Sequence, residues 1–366
     1  MDDRHLLRRT ADLAIGFAAK TQRATEARGP RFSVIIPLAP GRETRGLELL
    51  RRLRFPADRY EVVADVGPNA SRNRNRSIAR SSGAILAFTD DDCVVHSQWL
   101  ARAQAFFEAH PGYDVVGGPQ LTSRSDGFLA RACGYVLTSP FGTWRTNCRF
   151  KRRQPSLAAT ELALTSANLF IRRRAFERHG PFDTRLWPNE ETELLGRIAL
   201  AGGKMAYDPG IVVFHKRRKT LAAWARQCFL YGTGRARQTR ISGTLTARIG
   251  VIVPCTFLAY LALLPVLAAV HGLFWFPLAL YGAANLAATA QASWASDDPR
   301  AALVLPLLFP VVHLSYALGF LVEAGRLWIL RRGLREVGDD APCTGAVPIR
   351  TEETATGPRL AVGGPR

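Results

Sequence analysis

Ala84-Ile85-Leu86-Ala87-Phe88-Thr89-Asp90-Asp91-Asp92-Cys93 passes from five apolar residues straight into three consecutive carboxylates. Preceded by the turn signal Ser81-Ser82-Gly83, an apolar run of this length reads as a fully buried strand of a parallel sheet. In open parallel sheets ligands bind beyond the carboxyl ends of the strands, so the acids stand where a ligand sits. Adjacent anions repel unless a cation holds them, and hard oxygen ligands suit a divalent ion that also carries phosphate oxygens. Asp90 and Asp92 fall on one side if the backbone stays extended. Taken alone, the same residues also read as a solvated acidic turn, or as N-caps ahead of Ser97-Gln98-Trp99-Leu100.

The flanking chain repeats a strand-and-helix alternation. Phe32-Ser33-Val34-Ile35-Ile36-Pro37 reads as a first buried strand stopped by Pro37, and a helix is expected over 43–54 after the loop Ala39-Pro40-Gly41. Tyr60 to Val66 is a second strand carrying Asp65 near its end, with the turn Gly67-Pro68-Asn69 behind it. Ser71-Arg72-Asn73-Arg74-Asn75-Arg76 then opens a helix running to about Arg80. Basic and amide groups at such a helix start suit a phosphate, because free N–H groups and the dipole already favour an anion. A solvated Arg-rich face is the competing reading. Ser97 to His110 is the next helix, Tyr113 to Val116 a short strand, and Ser166 to Ile171 another, with a helix from Arg172 to His179 after it. This order gives a doubly wound α/β domain.

Two later stretches add chemistry. At Asn189-Glu190-Glu191-Thr192-Glu193-Leu194 a helix begins, with Asn189 as N-cap and acids in the first turn. Capping accounts for one or two of these carboxylates. Ile211-Val212-Val213-Phe214 leads into His215-Lys216-Arg217-Arg218, which leaves His215 at the end of a buried strand, where a metal or phosphate contact and plain packing are equally open. Earlier in the chain, residues 123–156 mix Phe128, Tyr135, Phe141, Trp144 and Phe150 with Arg145, Arg149, Lys151, Arg152 and Arg153. That mixture fits a sugar face, a lipid phosphate, the bilayer surface or an ordinary amphipathic subdomain.

The 366 residues carry a formal net charge of +19, which suits nucleic acid or an anionic membrane surface. Long uncharged segments in the carboxyl half favour the membrane, and no zinc knuckle or RNA-binding aromatic signature accompanies the Arg residues, so no nucleic-acid partner is expected. The six cysteines show no metal-ligand spacing and read as reduced thiols. Met1-Asp2-Asp3-Arg4 lacks a basic n-region and Asp12 interrupts the apolar residues behind it, so no cleaved signal peptide is expected and the main domain is expected in the cytoplasm.

The order of these motifs resembles the inverting family 2 glycosyltransferases, over roughly residues 31 to 240. Ser33-Val34-Ile35-Ile36-Pro37 looks like the family's opening strand, and Ser71-Arg72-Asn73-Arg74-Asn75 like its Arg-Asn segment. Phe88-Thr89-Asp90-Asp91-Asp92 is similar to its Asp-x-Asp motif, and Asn189-Glu190-Glu191-Thr192-Glu193-Leu194 to its acceptor-side Glu-Asp motif. The resemblance implies a GT-A type nucleotide-sugar-binding fold over 31–240. It implies a donor site drawn from Pro37, Asp65, Arg74, Asn75, Asp90, Asp91 and Arg218, and a divalent metal, Mg²⁺ or Mn²⁺, on Asp90 and Asp92 with His215. Glu191 stands where the catalytic Asp usually stands and is the implied general base, with Glu190 as the fallback. Two departures matter: Glu replaces Asp at 191, and Ala64-Asp65-Val66-Gly67 lacks the usual paired acids. The helix with Trp224, Gln227 and Tyr231 also lacks the Gln-x-x-Arg-Trp signature of processive members, which favours one sugar per turnover.

Past the domain, Gly250 to Val270, Leu273 to Trp294 and Ala301 to Val322 are each long enough to span a bilayer, where ~20 residues are needed. They define a C-terminal transmembrane helical region over 248–323. Arg235, Arg237, Arg240 and Arg248 before it, and Arg326, Arg331, Arg332 and Arg335 after it, both indicate the cytoplasmic side. Three full crossings would separate those clusters, so the middle segment, carrying Asn285, Thr289, Gln291 and Ser293, is expected not to cross fully. Residues 1–30 read as an interfacial helix, a packing helix or a frayed tail, and 338–366 as a disordered tail. The whole is expected in the inner (plasma) membrane, multi-pass, with membrane lipids, a nucleotide-sugar donor and a lipid-linked or cell-envelope glycan acceptor as partners. A polyprenyl-phosphate glycosyltransferase, a nucleotidyltransferase on a similar fold and a non-catalytic membrane scaffold are the competing readings.

Overall fold

The computed structural model describes residues 31–41, 50, 53–242, 245–296, 298–329, 333–334 and 360–363. In chain order they form β1 (Phe32–Leu38), β2 (Tyr60–Val66), α1 (Ala70–Ala79), β3 (Ile85–Phe88), β4 (Cys93–Val95), α2 (Trp99–Ala109), β5 (Val115–Gly117) and β6 (Gln120–Thr122). Next come α3 (Phe128–Thr138), α4 (Pro140–Thr143), β7 (Leu169–Arg172), α5 (Arg173–His179), α6 (Glu190–Leu200), β8 (Met205–Tyr207) and β9 (Val213–His215). The rest is α7 (Leu221–Ile241), α8 (Leu245–Val270), α9 (Phe276–Trp294), α10 (Leu305–Ala324) and β10 (Leu360–Gly363). The segment expected to be helical over 1–30 lies outside the described residues, as does most of the helix expected over 43–54.

The chain divides into two compact units. The first takes in residues 1–121, 152–215 and 335–366, and the second 122–151 and 216–334. Residues 122–151, inside the stretch read from sequence as one domain, thus group with the apolar carboxyl half.

The first unit is built on a seven-stranded sheet of order β10-β2-β1-β3-β7-β5-β8. β1 runs parallel to both β2, with Phe32 opposite Tyr60, and β3, with Phe32 opposite Ile85. The sheet is mixed: β7 lies antiparallel between β3 and β5. An antiparallel member in an otherwise parallel sheet is a common departure, and β3 keeps both faces covered either way.

The period of two along the strands sorts their side chains onto two cores. Phe32, Val34, Ile36, Val62, Ala64, Ile85, Ala87 and Phe170 face one side, where Trp99, Leu100, Ala103 and Phe107 of α2 cover them. Ile35, Val63, Leu86, Phe88, Leu169 and Ile171 face the other, beneath Ile78 of α1, Phe176 of α5 and Leu194, Leu195 and Ile198 of α6. The result is a three-layer α/β/α arrangement in which both faces of β3 are dry. A second, smaller sheet has the order β4-β9-β6. In the tail read as disordered, Leu360–Gly363 pairs parallel with β2, where an open strand edge offers unpaired backbone groups; the rest of 338–366 lies outside the described residues.

In the second unit a buried cluster joins Cys133 and Val136 of α3 to Trp224 and Cys228 of α7, Ala288 and Ala292 of α9, and Leu305, Leu308 and Phe309 of α10. Helices α7 and α10 approach backbone to backbone. A Cβ on Gly232 would collide with the Tyr316 carbonyl oxygen, and one on Gly319 with that of Phe229. At one end of this helix pair the Glu323 carboxylate accepts from Arg237 at 2.7 Å and from Arg326 at 2.7 and 2.9 Å. The spans Gly250–Val270, Gly272–Trp294 and Leu305–Ile329, of 21, 23 and 25 residues, are long and apolar enough to cross a membrane. Their outward surface carries Val253, Val266, Leu273, Leu280 and Leu286, as a helix facing hydrocarbon requires.

Candidate functional site

The site lies beyond the carboxyl ends of β1, β2 and β3, and the loop into α1 organises it. Asn69 caps α1, its side chain accepting from the Arg72 N–H at 3.0 Å, which satisfies one of the orphan donors of the first turn. Asn73 donates from Nδ2 to the Leu38 carbonyl at 3.2 Å and to the Gly67 carbonyl at 2.9 Å. It therefore fastens the helix across the ends of β1 and β2. Arg74, the next residue, is held over the acids behind β3.

Arg74 is 2% exposed and links three parts of the chain. Its Nη1 donates to Glu190 Oε1 at 2.5 Å, and its Nη2 to Asp90 Oδ1 at 2.8 Å and to Ser166 Oγ at 3.2 Å. Burial works to lower the guanidinium pKa, but the carboxylates of Glu190, Asp90 and Glu191 outweigh it and raise the pKa, so Arg74 stays charged. Burial pushes the Glu190 carboxyl up to about 7, with Arg74 pulling it down and Glu191 adding to the rise. Arg74 Nε and Glu190 Oε2 are buried without a hydrogen-bond partner among the described residues. Buried polar atoms left in this state are rare and call for a further partner.

Glu190 and Glu191 open α6, and both are buried. Asn189 stands at the N-cap position as expected, but it takes a left-handed φ of 82° and its side chain makes no capping hydrogen bond. Asn tolerates that conformation better than most residues, and there it turns the chain directly into the acidic first turn.

On the other side of Asp90, four side chains converge. Asp90, Asp92, Cys93 and His215 each present a ligand atom within 4.8 Å of the others, and His215 Nε2 meets Asp92 Oδ1 at 2.8 Å. One ion with metal–ligand bonds of ~2.0–2.3 Å holds ligands up to ~4.6 Å apart, so these residues fit a divalent ion with a few tenths of an ångström of contraction. Pairing of β4 with β9 places Cys93 directly opposite His215. The three residues expected from sequence to gather here do so. Cys93 is the member of this cluster that sequence reasoning misses, because no second thiol stands at ligand spacing and only its position next to Asp92 hints at it.

The other expected site residues have varied surroundings. Asp65 is fully buried at the end of β2, opposite Pro37, with Oδ2 2.5 Å from Arg80 Nη2 and its pKa lifted to about 6 by burial against the pull of Arg80. Asn75 spends both amide groups on the Phe182 backbone, donating to its carbonyl at 2.8 Å and accepting from its N–H at 3.0 Å. Asp91 is buried beside Asp90. Arg218 is half-buried in the second unit; its neighbour Arg217 is the buried one, with its backbone N–H on Asp126 at 2.9 Å and its guanidinium over Phe150.

Comparison with known proteins gives one family and several relatives. The model of the family described as "Glycosyltransferase like family 2" matches residues 27–230. Glycosyltransferase AglE of Haloferax volcanii is 30% identical over 173 residues, which are 47% of this chain and 52% of that protein. The pre-mycofactocin glycosyltransferase of Mycobacterium tuberculosis is 27% identical over 167 residues, 45% of this chain and 33% of that protein. The chain therefore spans about half or less of the length of the curated relatives it matches. Among solved structures, the mannosyltransferase PcManGT of Pyrobaculum calidifontis in complex with GDP-Man and Mn²⁺ aligns with 89% of this chain and 96% of its own, at 19% identity and a TM-score of 0.48.

Proposed function

The chain belongs to the glycosyltransferase-like family 2, and from that premise we propose that it transfers one sugar from a nucleotide-sugar donor to a lipid-linked or cell-envelope glycan acceptor, with inversion at the anomeric carbon. The observation that carries this reading is the bridge from Asp90 through Arg74 to Glu190, which sets donor-side acids beside the acid pair that opens α6.

The donor diphosphate and ribose lie over the ends of β1 to β3, against Asp90, Asp91 and the start of α1, with Pro37 and Asp65 toward the base. Asp90, Asp92 and His215 would hold a divalent ion, Mg²⁺ or Mn²⁺, which when bound would neutralise charge on the departing nucleoside diphosphate. Arg74 fixes Glu190 and thereby the first turn of α6. Glu191 takes the proton from the acceptor hydroxyl as that oxygen attacks the anomeric carbon, general-base help worth about 10² to 10⁴ in rate. Glu190 Oε2 and Arg74 Nε, buried and without a partner among the described residues, support a ligand at this place.

The apolar spans of the second unit support an enzyme of the plasma membrane that works on an acceptor at the bilayer, its catalytic domain over 31–240 on the cytoplasmic side. Isothermal titration of the detergent-solubilised protein with UDP and GDP, with and without Mn²⁺, tests the donor half of this proposal. Metal-dependent binding of one nucleotide, lost in Asp92→Asn, is the expected result. Binding that is indifferent both to the metal and to that substitution overturns it.

A further inference from the structure

We propose that the Cys93 sulfur is itself a ligand of the ion at Asp90, Asp92 and His215, and that the site therefore selects a borderline transition ion such as Co²⁺ or Zn²⁺ over Mg²⁺. This rests on the metal-dependent reading of the site given above.

Geometry supplies the first argument. Cys93 and His215 are directly opposed residues of the β4–β9 pair, and directly opposed side chains leave a sheet on the same face. The ladder thus aims a sulfur and an imidazole at one point, and Asp90 and Asp92 approach the same point from the chain that enters β4. Cys93 is 2% exposed and His215 9%. The sulfur side of the cluster is dry, which a strongly hydrated ion resists.

The donor set supplies the second. Mg²⁺ demands near-ideal octahedral oxygen ligation and gives up its waters reluctantly, whereas imidazole and thiolate favour later first-row ions. A set of two carboxylates, one imidazole and one sulfur is ill matched to Mg²⁺. Charge is accounted for as well: the thiol loses its proton to solvent on coordination, so two carboxylates and a thiolate around a divalent ion leave one net negative charge. The Arg74 guanidinium, 2.8 Å from Asp90, offsets it.

The test uses the full chain in detergent, stripped of metal with a chelator and titrated with Co²⁺ alone. Visible ligand-field absorption reports that cobalt is bound, and a near-ultraviolet sulfur-to-cobalt charge-transfer band reports a thiolate ligand. The expected wild-type result is both signals rising together. Cys93→Ser is expected to keep the visible signal, lose the near-ultraviolet band and bind at least on the order of tenfold more weakly, the lower end of what even outer-shell partners contribute. Cys228→Ser, a thiol of the second unit, keeps both. Excess Zn²⁺ displaces the cobalt and an equal excess of Mg²⁺ does not. Wild-type protein that shows the visible signal without the charge-transfer band refutes the sulfur ligand while leaving the metal site standing, and this arm needs no variant to fold. The same holds if Cys93→Ser retains the band. Absence of both signals overturns the metal reading as well.

Discussion

Replacing Arg74 with Met removes one cation from among the acids and keeps most of the side-chain volume. The Arg74 and Glu190 side chains are 3% and 4% exposed and 2.5 Å apart, whereas Asp90 is 27% exposed and can turn to water. The loss therefore falls on Glu190, left as a buried carboxylate with no compensating charge, a change that costs about 3–5 kcal/mol. At about 2–4 °C per kcal/mol for a domain of this size, the unfolding midpoint falls by about 6–20 °C. The penalty depends on pH with a definite sign. Burial already holds the Glu190 carboxyl above its ordinary range, so the stability tied to its protonated form is complete below the ordinary carboxylate pKa and is lost as pH rises through about 7. Without Arg74 that carboxyl moves higher still. The variant is then closest to wild type near pH 5 and furthest from it near pH 8. Thermal unfolding of the detergent-solubilised chain at both pH values, for Arg74→Met and for Arg74→Met with Glu190→Gln, measures this. Removing the stranded charge is expected to restore at least half of the loss at pH 8. Equal penalties at the two pH values, with no recovery in the double variant, refute the reasoning.

Two further outcomes are expected. Glu191→Gln keeps nucleotide binding but lowers the transfer rate by about 10² to 10⁴; unchanged turnover points instead to an acceptor that needs no base, such as a lipid phosphate. Gly319→Ala puts a Cβ against the Phe229 carbonyl oxygen, forces α7 and α10 apart and destabilises the second unit by about 1–3 kcal/mol, seen as faster proteolysis near α7, whereas Gly282→Ala, which meets nothing within 4 Å, leaves the rate unchanged.

The elements that position the site are legible in the sequence because their residues repeat with a period. β1, β2 and β3 lie within a residue or two of the expected runs, and α1 and α2 begin within two residues of theirs. Apolar side chains that must be buried on both faces of a sheet announce a strand whatever surrounds them. The Asp-x-Asp segment and His215 are legible as charge at the end of apolar runs, but the same letters suit an acidic turn and plain packing, and only the fold brings them together. β4 is not legible, being three residues long and, by its letters, the lead-in to a helix. Nor is the left-handed Asn189, whose letter equally suits a cap.

What the sequence determined by itself was therefore the α/β class, the family resemblance, the three apolar spans and the residues able to do chemistry, since all of these depend on composition and local order along the chain. Which of those residues meet was decided by the tertiary structure alone. Arg74 is 116 residues from Glu190, and His215 is 123 from Asp92. Asn75, alike in type and place to a ligand-binding residue, is instead spent on the Phe182 backbone. Partnerships at such separations come from sheet order and register, in which every strand's position depends on all the others, and no local pattern records them.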